Sequence, residues 1–181
     1  MSRIAIIDNT NANAEQQTLL DTIQGQLGTV PNFLKVLANS PVALRAFLGL
    51  HGVAGAGSLD NQTRERIALA LAQQNGCEYC VSAHTAIGRK SGLTGDEISA
   101  ARHGTSEDAQ AAIAVKFATS LMEKKGDVSA IEIAQLRSAG FTDSDIVEII
   151  THVGMNFLTN ILGKASKVEI DFPQVELKLA A

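Results

Sequence analysis

The sequence predicts an all-α fold, on the strength of three observations. Aromatic residues make up only 4% of the chain, with no Trp and one Tyr, while Ala and Leu abound. That composition favours helices packed through small residues over sheets, which draw on β-branched and aromatic side chains. Apolar residues recur at helical spacing through most of the chain, and cap residues punctuate the intervals between those runs.

Taken in order, residues 13–27 and 32–38 read as the first two helices. Ser40-Pro41 offers an N-cap followed by Pro at the first helical position, opening a helix over 41–55. The stretch "LDNQTRERIALALAQQ" is amphipathic and forms a helix over 60–74, with Ile67, Ala70 and Leu71 on its apolar side. Asn75-Gly76 breaks it, and a helix over 77–91 follows. "TGDE" from Thr94, "SAIE" from Ser129 and "TDSD" from Thr142 fit capping boxes or their shorter Asp version, opening helices over 95–103, 129–139 and 143–165. Another helix spans 106–125, and Gly104, Gly126 and Gly140 serve as helix stops. The tail "VEIDFPQVELKLAA" alternates weakly and contains Pro, so it reads as an extended arm.

At 181 residues the chain suffices for a single domain over 1–181, with a core at 58–104, a second hairpin at 106–165 and a C-terminal arm at 166–181. "SGLTGDEI" (91–98) and "AGFTDSDI" (139–146) share one frame, 48 residues apart, and the same offset pairs "IALALA" with "VKFATS". Two helical hairpins related by pseudo-symmetry would give this echo, and so would helix-turn-helix grammar recurring by chance. The second copy lacks counterparts of Cys77, Cys80 and His84, so any chemistry belongs to the first.

Net charge is −4 and the pI about 5.5, with no long run of Lys or Arg, which argues against a nucleic-acid partner. Apolar stretches are interrupted by Arg, Gln or Lys before the roughly 18 residues a membrane span needs, so no membrane association is expected. The start "MSRIAIIDNTNANAEQQ" lacks the apolar core and cleavage site of a secretory signal. A cytoplasmic location follows as the expectation. Thiols there stay reduced, which disfavours a permanent structural disulfide and adds weight to a reactive or metal-binding pair.

The only two cysteines lie in "GCEYCVSAH", with His84 four positions after Cys80. At about 100° per residue, Cys77, Cys80 and His84 fall within about one 60° sector of a helix. Residues three apart on a helix bring their Cα atoms within disulfide range. Cys77 falls in the first turn, where unpaired N–H groups and the helix dipole favour a thiolate, and His84 is placed to take a proton from Cys80. The preceding helix, reversed by the Asn-Gly turn, brings Glu65 towards the cysteine face, where a carboxylate would orient His84. Alternatives stay open at this point: a buried thiol pair, a zinc site using the two thiols with His84 and Glu65, or a redox dithiol. A c-type haem is excluded because His would have to follow Cys80 directly.

Glu65, eleven residues, Cys77-x-x-Cys80, three residues, His84 resembles the signature of the alkylhydroperoxidase D branch of the carboxymuconolactone decarboxylase family. "RERIALALAQQNGCEYCVSAHT" is similar to that family's core, and "GTVPNFLKVLANSP" and "NFLTNILGKASKVEIDFP" resemble its longer, peroxidase-related members. The resemblance implies helical hairpins assembled as trimers or hexamers, with no bound cofactor and no metal. It implies that Cys80 attacks a hydroperoxide, that His84 and Glu65 relay its proton, and that Cys77, nearer the mouth, resolves the sulfenic acid into a Cys77–Cys80 disulfide. A thiol reductant protein or a dihydrolipoyl group would then reduce that bond. The best-known members carry His just before the second cysteine; this chain carries Tyr79, a poor base at neutral pH whose hydroxyl can hold a water. His152 and Asn156, with Asn160, form a polar stripe on an apolar helix and are candidates for core hydrogen bonding or for lining the thiol pocket. Two further readings differ in class: a lactone decarboxylase, as the family's name suggests, and a non-catalytic helical oligomer.

Overall fold

The computed structural model describes residues 2–178. Among them are nine helices and no strand: α1 (Ala14–Leu27), α2 (Asn32–Leu37), α3 (Pro41–Gly55), α4 (Asn61–Gln74), α5 (Glu78–Lys90), α6 (Gly95–Arg102), α7 (Ala109–Glu123), α8 (Ala130–Ser138) and α9 (Asp143–Ser166).

The punctuation read from the sequence is made by real caps. Ser40, Thr94, Ser129 and Thr142 each accept the N–H three residues on, and reciprocal capping boxes close at Ser129/Glu132 and Thr142/Asp145. Gly104, Gly126 and Gly140 take φ of 77°, 94° and 95°, the left-handed region that stops a helix. Most boundaries shift by a residue or two, and two of the shifts have a visible cause. Helix α5 begins at Glu78, so Cys77 is its N-cap and not a first-turn residue. Helix α7 begins at Ala109, because the Glu97 carboxylate captures the Ser106 hydroxyl and the Glu107 N–H, holding that stretch as a loop until Asp108 caps the helix.

Helix α4 is the hub. Residues Arg66 to Ala72 are buried on every side, and the helix packs against α5, α6, α7 and α9. Arg66 is admitted to this interior by a buried ion pair with Glu97 of α6. One core cluster joins α1, α2 and α3 to the start of α5 and includes Leu20, Ile23, Leu44, Cys77, Tyr79 and Cys80. A second joins α4 to α7, α8 and α9 through Ile67, Leu71, Val115, Leu136 and Ile149.

Helix α9 corrects an expectation. At 24 residues it is long and apolar enough, by length and composition, to cross a membrane. No Lys or Arg interrupts it before Lys164. In this fold it is a core element, packed against α3, α4, α5, α7 and α8, with His152, Asn156 and Asn160 buried along it.

Beyond α9 the described chain, 167–178, contains neither helix nor strand. It is strapped across the molecule: Asp171 accepts from Tyr79 and the Asn32 N–H, Val175 N–H donates to Ser82 Oγ, and Gln73 and Arg102 donate to the Leu177 carbonyl. Residues 179–181 of the expected arm lie outside the described residues.

Candidate active site

The site is built where α4 turns into α5. After Gln74 the chain reverses through Gly76, whose φ of 64° suits a residue without a side chain. The Cys77 N–H then donates to the Ala72 carbonyl at 2.9 Å, tying the new helix to the old one. Cys77 is extended (φ −98°, ψ 94°), and its Sγ accepts the Cys80 N–H at 3.3 Å, so the sulfur itself caps α5. One turn on, Cys80 is joined to Cys77 by a disulfide, with Cα atoms 5.2 Å apart. The two cysteines are 1% and 3% exposed, so Cys77 is not the more open of the pair.

Helix α9 forms the wall over the sulfurs. Cys80 Sγ lies 3.9 Å from the Thr159 carbonyl oxygen. Gly163 sits closer still: a Cβ at that position would stand 2.9 Å from Cys77 Sγ and 3.6 Å from Cys80 Sγ.

Glu65 projects from α4 and His84 from α5, and the two meet with His84 Nδ1 2.9 Å from Glu65 Oε2. Their side chains are 16% and 22% exposed, open enough to exchange protons with solvent yet sheltered enough for the pair to matter. With Nδ1 engaged by the carboxylate, Nε2 is the nitrogen left for proton exchange. His51, on α3, packs its ring 5.8 Å from Phe47 and feels the charges of both Glu65 and His84. Burial of its ring and the proximity of His84 push its pKa below the ordinary value.

The remaining candidates are placed differently. Tyr79 points away from the dithiol: its hydroxyl donates to Asp171 Oδ1 at 2.9 Å and accepts the Phe33 N–H at 3.2 Å. Burial, with Asp171 beside it, drives the phenol pKa well above its ordinary value, so it holds its proton at every physiological pH. Its ring lies between Phe33 and Phe172, at 6.0 and 5.7 Å. Asn156 donates to the His152 carbonyl of its own helix at 2.8 Å. His152 is buried near Ala54, Arg64, Glu148 and His51, and burial together with Arg64 pushes its pKa down; its Nε2 has no hydrogen-bond partner among the described residues. Asn160 accepts from Asn75 at 2.9 Å, joining α9 to the turn before Cys77. Both thiols are spent in the disulfide, and no group of three or more His, Cys, Asp or Glu among the described residues is arranged to hold a metal ion.

The wall residues Thr159 and Gly163 and the Tyr79 partner Asp171 were not marked by the sequence reading. Gly163 left one trace, a glycine inside a long apolar helix, where Ala would favour the helix by about 1 kcal/mol.

Fold and site together define a helical dithiol protein whose cysteine pair caps a helix beside a Glu–His couple. Residues 41–123 match the carboxymuconolactone decarboxylase family. An uncharacterized peroxidase-related protein from Silicibacter sp. TM1040 is similar at a TM-score of 0.82 and 25% identity, over 97% of this chain and 94% of that one. An alkylhydroperoxidase AhpD core protein from Ralstonia eutropha JMP134, also peroxidase-related, reaches 0.82 and 27%, over 94% and 92%. The debrominase Bmp8 shares the fold at a TM-score of 0.76 and 18% identity, over 93% and 91%. No curated protein matches the sequence. The family match over residues 41–123 and these neighbours support placing the chain with the alkylhydroperoxidase D-like branch of the carboxymuconolactone decarboxylase family.

Proposed function

We propose that the protein is a dithiol peroxidase that reduces hydroperoxides by cycling Cys77 and Cys80 between dithiol and disulfide. The observation that carries this reading is the Cys77–Cys80 bond at the cap of α5, one turn from the Glu65–His84 couple. In the reduced protein His84 takes the Cys80 proton, steadied by Glu65 as the imidazolium forms. The Cys80 thiolate attacks the outer peroxide oxygen, the O–O bond breaks, and the alkoxide leaves as alcohol with the proton that His84 returns. Cys80 is then a sulfenic acid. Cys77 attacks that sulfur, and the hydroxide it expels takes up the Cys77 proton and leaves as water. A thiol reductant protein or a dihydrolipoyl group restores the pair, supplying two electrons and two protons.

The test is to trap the intermediate. In Cys77→Ser, one equivalent of cumene hydroperoxide should leave Cys80 as a sulfenic acid that dimedone captures, whereas Cys80→Ser should yield no adduct. An adduct on Cys77 in Cys80→Ser, with none in Cys77→Ser, reverses the two roles; no adduct in either variant, with peroxide unconsumed, removes the peroxidase reading.

Assembly as a homo-oligomer belongs to the same proposal. Val42 and Val53 on α3 and Val147, Phe157, Leu158 and Ile161 on α9 are large apolar side chains left exposed by the single chain. Sedimentation equilibrium reads the subunit number directly.

A further inference from the structure

We infer that Gly163 sets the redox balance of the Cys77–Cys80 pair, acting as a positioning residue that leaves room for the bonded sulfurs. The inference rests on the reading that the pair cycles, and it concerns the equilibrium between the two states and not the peroxide chemistry.

Gly163 is buried inside the 24-residue α9. Helix propensity alone would favour Ala there. What opposes Ala is sulfur: the added methyl carbon would stand 2.9 Å from Cys77 Sγ, well inside the roughly 3.5–4.0 Å at which non-bonded heavy atoms rest. Cys80 Sγ, at 3.6 Å from the same point, is in ordinary contact. The conflict is thus with one atom, Cys77 Sγ.

The two redox states answer that conflict differently. In the disulfide, Cys77 Sγ is bonded to Cys80 and fixed against α9, so it has no other staggered position to take. In the dithiol the bond is gone and the Cys77 side chain is free to turn to another rotamer, away from the methyl. A methyl at 163 therefore penalises the disulfide more than the dithiol. Glycine at this position removes the penalty and lets the oxidised form close under α9.

The experiment uses the full chain and its own internal control. Gly154 lies on the same helix, and a Cβ there would meet nothing within 4 Å. Wild type, Gly163→Ala and Gly154→Ala are equilibrated anaerobically in mixtures of reduced and oxidised dithiothreitol. In each event the protein disulfide takes two electrons and two protons from one dithiothreitol, which closes to its cyclic disulfide. The dithiol fraction is read by mass after alkylation.

Gly163→Ala should shift the equilibrium at least tenfold towards the dithiol, about 30 mV for a two-electron couple, while Gly154→Ala stays within about twofold of wild type. A shift of less than tenfold in Gly163→Ala, a shift towards the disulfide, or an equal shift in Gly154→Ala overturns the inference. A general loss of helix stability would move both states alike and leave this ratio unchanged. Should Gly163→Ala fail to fold, Cys77→Ala/Gly163→Ala decides, because it deletes the sulfur that the methyl meets. Recovery of folding supports the inference, and continued failure overturns it. A wild-type pair that equilibrates with dithiothreitol but ignores hydroperoxide would remove the proposed function and leave this inference standing.

Discussion

Replacing Glu65 by Gln keeps the shape of the side chain and removes only its charge, which isolates what the carboxylate does for His84. The two are 2.9 Å apart, and neither is more than about a fifth exposed, at 16% and 22%. A hydrogen bond to a charged group contributes about 1.5–3 kcal/mol and a neutral one about 0.5–1.5 kcal/mol. The difference, about 1–2 kcal/mol, is felt when His84 carries the Cys80 proton, because the carboxylate then faces an imidazolium. At 1.36 kcal/mol per decade, that is roughly a 5- to 30-fold slower reaction. The assay is single-turnover stopped-flow of the reduced protein with cumene hydroperoxide at neutral pH, with melting temperature measured alongside. Glu65→Gln should lose rate while keeping its fold. A rate within twofold of wild type would refute the relay, since an orienting carboxylate that can be neutralised without effect is not orienting a proton acceptor.

Two other expectations concern stability. Tyr79 keeps its proton to far higher pH folded than unfolded, so above about pH 10 the unfolded chain releases a proton that the native state retains, and native stability falls as pH rises, by up to about 1.4 kcal/mol per unit. Tyr79→Phe should remove that alkaline slope while costing about 1–3 kcal/mol at neutral pH for the Phe33 N–H left unpaired; urea titrations at pH 7, 9.5 and 11 separate the two effects, and an unchanged slope contradicts the assignment. At Glu97 burial alone would raise the carboxyl pKa, but hydrogen bonds from Ser106, the Glu107 N–H and Arg66 outweigh it and hold the pKa below the ordinary 4.5. That stability is present above about pH 4.5 and is lost as pH falls further, so Glu97→Gln should flatten the acid limb. Leaving Arg66 buried without its partner should also cost about 3–5 kcal/mol, readable by thermal unfolding, and a variant as stable as wild type contradicts the buried pair.

The helices were legible because their signals are local. Ser40-Pro41, the capping boxes at Ser129 and Thr142, and the helix-stopping glycines act within four residues of themselves, and each does in the fold what its chemistry suggests. The turn between Glu65 and His84 was short enough for spacing to bring the two into one region, and they meet. Apart from the Cys77 cap, where fold and expectation differ the partner lies on another element. Glu97, on another helix, delays the start of α7 by taking the Ser106 hydroxyl and the Glu107 N–H. Asp171 turns Tyr79 into a strap for the C-terminal arm, a partner 92 residues along the chain. Thr159 and Gly163 meet the sulfurs across the whole second half of the chain, through a backbone oxygen and a missing side chain, neither of which any local pattern announces. The polar stripe on α9 was visible as a stripe, but its partners were not: Asn156 bonds within its own helix, and Asn160 reaches Asn75.

The central claim is that Cys77 and Cys80 carry two electrons to a hydroperoxide, and stoichiometry tests it most directly. Fully reduced protein mixed with one equivalent of cumene hydroperoxide should consume the peroxide, lose two thiols per chain, and yield a single peptide species cross-linked between Cys77 and Cys80. Peroxide left unconsumed with both thiols intact, or thiols lost without that intramolecular bond, would contradict the account.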